Sequence, residues 1–151
     1  MLRLQRSRAR QSFFQRHSLS LIVGAVLALW FVLYVRADPQ THLGAFYGNA
    51  IADWTGTLLI VLVTKYFFER GSSESRRPPK ERSRVLRLLV SHSLTIFLVA
   101  TGAVWAVVYA RTDANSKAGQ VIGNIVSEWT QVLGLVLITK YAREQGSKES
   151  A

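Results

Sequence analysis

The sequence predicts an all-α integral membrane protein with four transmembrane helices, built as two parallel tandem helical hairpins with both termini in the cytoplasm. Three observations carry this reading: four long apolar stretches, basic residues gathered on one side of them, and an internal repeat of 75 residues. The apolar stretches cover residues 18–35, 44–68, 85–110 and 118–142. Each is close to the roughly 20 residues a helix needs to cross about 30 Å of hydrocarbon.

The first stretch follows a basic N-terminus, residues 1–16, that holds Arg3, Arg6, Arg8, Arg10 and Arg16. A basic start, an apolar core and "VRA" before Asp38 mimic a cleavable signal peptide, but the stretch has a full-length counterpart later in the chain, which favours a retained span. The first hairpin, residues 17–70, turns through "RADPQTHLG", where Asp and Pro are turn formers. Its second span then runs towards "TKYFFERGSSES". Residues 71–84 are polar, basic and proline-containing, and read as a cytoplasmic linker. The second hairpin, residues 85–145, turns through "RTDANSKAG", and residues 146–151 form a short tail. In each turn an Arg precedes an Asp by two positions, a pair that could brace the turn but is worth little at a wet surface.

All but Arg36, Arg111 and Lys117 of the 19 Lys and Arg residues lie before the first span, in or at the edges of the middle connection, or at and beyond the inner end of the last span. By the positive-inside rule this places the termini and the linker in the cytoplasm of a bacterial-type cell with the protein multi-pass in its inner membrane. Such residues also attract anionic lipid headgroups. The net charge of +10 could suggest nucleic acid, but no folded basic domain remains outside the membrane to bind it, so nucleic acid is excluded as a partner. The chain has no cysteine, which removes disulfides, thiolate chemistry and Cys-ligated metals.

Slid by 75 positions, residues 17–75 align without a gap on 92–150 and agree at 26 of 59 positions. An even number of crossings per unit makes the repeats parallel, related by a pseudo-two-fold axis along the membrane normal.

Both even-numbered spans carry an acid. Read at 100° per residue, Asn49, Asp53 and Thr64 fall near one face of the second span, and Asn124, Ser127, Glu128, Gln131 and Thr139 near one face of the fourth. An ionised carboxylate at a span centre costs at least about 2.5–3.5 kcal/mol, so acids kept at matching positions ask for a partner or a wet cavity, and the default inference is a functional site. The alternative is interhelical packing through polar side chains, with Asn49 bonding Asp53 along its own helix. Across the axis the two acids would titrate as a coupled pair. Carboxylates and amides suit a hard cation without specifying one.

Trp30, Tyr34, Trp105 and Tyr109 near the outer ends, and Tyr66 and Tyr141 beside Lys65 and Lys140 near the inner ends, read as interfacial anchors. His17 and His92 open the odd-numbered spans; as symmetry mates they could ligate a metal or haem, but a histidine followed by Ser18 or Ser93 is more simply a helix start, and haem is not indicated. No nucleophile elbow, phosphate loop, HExxH or glycine fingerprint appears, so no enzyme activity and no cofactor is expected beyond a metal cation.

A small-residue span with a late Trp30, a short loop and an Asn49 opening the next span, repeated with Trp105 and Asn124, resembles the membrane hairpin of the bacterial low-affinity iron permease family. The stretches "AIADWT" and "IVSEWT" replace the Thr-rich stretch associated with that family after the Asn. The resemblance implies metal-ion transport. The functional expectation is a small polytopic protein that binds or conducts a cation or proton through the Asn/acid stripes, as a homo-oligomer or within a larger membrane complex. The competing expectation is a non-catalytic accessory or scaffold subunit.

Overall fold

A computed structural model describes residues 13–81 and 83–142. These residues form five helices: α1 (Phe13–Arg36), α2 (His42–Val63), α3 (Arg84–Ser91), α4 (Ser93–Ala110) and α5 (Lys117–Ile138). Four helices are long and apolar enough to cross a membrane, in α1, α2, α4 and α5. Large apolar side chains such as Ile22, Phe31, Val99 and Val104 face outward on α1 and α4. That surface would be a liability in water and is ordinary in lipid.

Helix α1 packs on α2, α4 packs on α5, and α2 packs on α5 in the middle. Glycine sets the closeness of the hairpins. A Cβ on Gly48 would meet the Tyr34 ring at 3.2 Å, and one on Gly123 would meet the Tyr109 ring at 3.0 Å, so each tyrosine lies flat against a bare stretch of helix. Two apolar clusters complete the packing. Val63, Leu94, Leu98 and Val136 join α2, α4 and α5 at the end bearing the linker; Ala52, Ile125 and Trp129 join α2 to α5 nearer the turns. Trp129 donates its indole N–H to Thr101 Oγ1 at 2.9 Å, which satisfies the buried ring across the α4–α5 hairpin.

The two hairpin turns are built alike. Thr41 Oγ1 accepts from Gly44 N at 3.1 Å and Ser116 Oγ accepts from Gly119 N at 2.9 Å, capping α2 and α5. Asp38 and Asp113 accept from the backbone N–H two residues on, which is an Asx turn and not a brace to Arg36 or Arg111. The reach from a carboxylate to its own turn is shorter than to a long side chain facing water, and no ion pair of either arginine exists among the described residues.

Helix ends depart from the sequence pattern in two places. The second span stops at Val63, not residue 68, because Thr64–Tyr66 form a turn and the chain then leaves the helix axis. The third apolar stretch is not one helix: it breaks at His92 into α3 and α4. Here the Leu94 N–H donates to Phe68 O at 3.0 Å and the Thr95 N–H donates to the Glu69 carboxylate at 3.2 Å. Those donors take acceptors from another segment, so the helix restarts instead of continuing.

Gly44 separates a required glycine from a dispensable one. A Cβ there would stand 2.0 Å from Asp38 O, whereas one on Gly134 meets nothing within 4 Å. Gly44→Ala is expected to lower unfolding stability in detergent by about 2 kcal/mol or more through backbone displacement. Gly134→Ala is expected to raise it by about 0.5–1 kcal/mol through helix propensity. Equal effects in a reversible unfolding titration would contradict the turn geometry.

Candidate functional site

Two polar sites emerge, one along the middle helices and one beneath them. In the first, the Asn124 side-chain amide donates to Asn49 Oδ1 at 2.5 Å across the α2–α5 interface. One turn further along, Glu128 faces Asp53 closely enough for the two carboxyls to interact, and Glu128 Oε2 would lie 2.9 Å from a Cβ on Gly56. The missing side chain at Gly56 is what leaves room for the Glu128 carboxyl. The acids therefore meet within one chain, in a seam that α2 and α5 form. Asp53 is exposed, and so are Asn49, Ser127 and Gln131, so the seam opens on the flank of the bundle. Gln131 reaches Ser127 Oγ at 3.5 Å on the same helix. Towards the turns the seam ends in a cavity of about 450 Å3 walled by Asn49, Asn124, Tyr109 and Gln120.

Thr64 and Thr139 stand apart from the seam. Thr64 Oγ1 donates to Ile60 O at 2.6 Å, and Thr139 Oγ1 lies 2.9 Å from Ser72 Oγ, tying α5 to the linker. The aromatic residues also take specific places: Trp30 packs on Phe46 and Tyr47, Trp105 on Trp129, and Tyr34 donates to Lys117 O at 3.0 Å. Tyr66 and Tyr141 are largely exposed. Lys65 donates to Ser20 Oγ at 3.1 Å.

The second site centres on Glu69, a residue that lies just past α2. Its side chain is wholly buried. Glu69 Oε1 is 2.5 Å from Lys140 Nζ and 2.5 Å from His92 Nδ1, while Oε2 accepts from the Thr95 N–H at the start of α4. Burial opposes ionisation of this carboxyl, but the bonds from Lys140, Thr95 and His92 outweigh it and hold it below its ordinary value. Position at a helix N-terminus acts in the same direction. The flanking backbone is equally committed, with Arg70 N–H donating to Ser91 O at 2.8 Å and Phe68 N–H to Ser93 Oγ at 2.9 Å.

His92 is thus spoken for by Glu69, and His17 packs against the Phe13 ring at 4.7 Å, so the two imidazoles are engaged separately. Among the described residues no three His, Cys, Asp or Glu side chains cluster as a metal site would. Sequence periodicity pointed to Asp53 and Glu128 and passed over Glu69, which lies outside the apolar run. The available signal was an acid close to Lys65 and matched, 75 positions on, by a second glutamate. Compared with protein-family models, curated proteins and solved structures, the chain matches none.

The depressed pKa fixes the sign of a pH effect. A carboxyl held low on folding stabilises the fold above its unfolded value, and that contribution is lost as pH falls through the folded value. Wild-type stability in detergent is expected to fall on the acid side of the ordinary carboxylate range, and Glu69→Gln to flatten that fall. At neutral pH Glu69→Gln is expected to cost about 3–5 kcal/mol, because Lys140 is left charged and nearly buried. Unfolding curves at several pH values read both effects; an unchanged acid limb in Glu69→Gln would assign the pH dependence elsewhere.

Proposed function

We propose that the protein is a non-enzymatic inner-membrane protein, with both termini cytoplasmic and its two hairpins arranged as parallel repeats, that binds or conducts a cation or proton along the α2–α5 seam as a homo-oligomer. The observation that carries this reading is the pairing of Asp53 with Glu128 within one chain, one turn from the Asn49–Asn124 bond. Two carboxyls side by side repel unless a proton or cation is shared between them, and lipid offers neither. Charge sharing is therefore the chemistry the seam is suited to.

Exposure of Asp53 supports the oligomer. A carboxylate and its neighbouring amides on the flank of a four-helix bundle are poorly placed against acyl chains, and a second copy apposing its own seam would enclose them. Likeness of each hairpin to the iron permease hairpin would make the cargo a metal ion. The same flank also suits the second reading, an accessory subunit whose seam receives a helix of a larger complex, with Asp53 satisfied by that partner's donor.

Flux separates the two. Proteoliposomes containing wild-type protein are expected to pass protons or a divalent metal ion, and Asp53→Asn combined with Glu128→Gln to abolish that flux while the protein stays folded. Folded wild type that passes neither protons nor metal ions would favour the accessory reading.

A further inference from the structure

Past α2, the segment that carries Glu69 folds back and leaves a cavity of about 650 Å3 between the linker and α3. Cationic side chains line it from three directions: Arg70 beside the buried carboxylate, Arg76, Arg77 and Lys80 along the linker, and Arg87 from α3. Among the described residues Glu69 is the one acid on its wall, and its charge is already matched by Lys140. The cavity is consequently a site of concentrated positive charge.

Local structure makes that concentration. Gly71 has φ +89°, a conformation that side chains disfavour, and it turns the chain sharply after Arg70. Pro78 and Pro79 restrict the next stretch, and Arg77 and Lys80 on either side of them share the cavity wall with Arg87 of α3. Arg76 is partly used, since its guanidinium donates to Thr64 O at 3.2 Å and to Lys65 O. It caps the end of α2 and so fixes one wall of the cavity to the bundle.

A second observation sets its depth. The short helix α3 exposes Val85, Leu86, Leu88 and Leu89, interleaved with Arg84 and Arg87. An amphipathic helix with unpacked apolar residues and flanking arginines lies in the boundary between headgroups and acyl chains. A helix of this kind would hold Arg87, and with it the cavity, at the level of lipid phosphates.

We propose that this cavity is a binding site for a phosphate group, supplied by the headgroup of an anionic phospholipid. Guanidinium groups converging from separate segments match the spread of oxygens on a phosphate, and linker cations beside a membrane favour anionic over zwitterionic headgroups. The occupant would bridge the linker to α3 and steady the segment that delivers Glu69 to α4.

The test uses full-length protein in nanodiscs of phosphatidylcholine with a minor fraction of phosphatidylglycerol, and reads lipid retention after extraction by native mass spectrometry. Wild type is expected to retain phosphatidylglycerol selectively. A variant carrying Arg70→Gln, Arg77→Gln and Lys80→Gln, none of whose side chains supports the bundle, is expected to lose affinity on the order of a hundredfold. Arg111→Gln, exposed in the opposite hairpin turn, should change it little. Inorganic pyrophosphate titrated into the lipid-bound protein distinguishes the source: displacement of the lipid at micromolar concentration assigns the site to a free phosphate compound, and no displacement assigns it to the headgroup. Equal retention of both lipids by wild type, or full retention by the folded triple variant, would overturn the proposal.

Discussion

The carboxylate of Glu69 is the constraint on which the arrangement of the helices depends. It joins the segment after α2, the first turn of α4 and the residue just past α5, beside the apolar cluster that packs the same ends together. An acid so thoroughly buried is tolerated only when cations and backbone donors surround it, and here a lysine, an imidazole and a helix N-terminus do so. Because the anchor needs the Thr95 N–H, it also dictates the break at His92. That break in turn separates α3 from α4 and leaves most of α3 exposed.

Fixing this end of the bundle determines what the middle can do. With α4 and α5 held against the end of α2, Leu94, Leu98 and Val136 close on Val63 and bring α2 and α5 into contact along their length. Their polar residues then face each other along a seam that opens on the flank of the bundle. Asn49 meets Asn124, and Asp53 meets Glu128 beside the space left at Gly56. The buried ion pair at the end and the acid pair in the seam thus have different characters. The first has its cation built in, and among the described residues no Lys or Arg pairs with the second.

Much of this was legible before any fold was in view. Hydrocarbon thickness sets span length, so four apolar runs gave four helices long enough to span, the third of them starting only at Ser93, and Asp38, Pro39 and Asp113 marked the turns within the hairpins. The Asn/acid stripes followed from helical periodicity, though periodicity could not say whether the acids meet within a chain. What escaped were features set by contacts distant in sequence. The apolar pattern continues through His92 without a sign that Thr95 would find its acceptor at Glu69, and Lys140 reads as an interfacial anchor until the carboxylate it faces is located. Thr64 and Thr139 share the helical phase of the seam but lie past its end, where the chain has already begun to turn.

The claim on which the account rests is that α2 and α5 of one chain bring the two acids together. Because the chain has no native cysteine, Asn49→Cys with Asn124→Cys can be probed in native membranes with a short bifunctional thiol reagent, read as migration on a denaturing gel. The account predicts efficient crosslinking within single chains at monomer size. Crosslinks found only between chains, with both single variants left unreacted at monomer size, would place the paired residues in different molecules and contradict it.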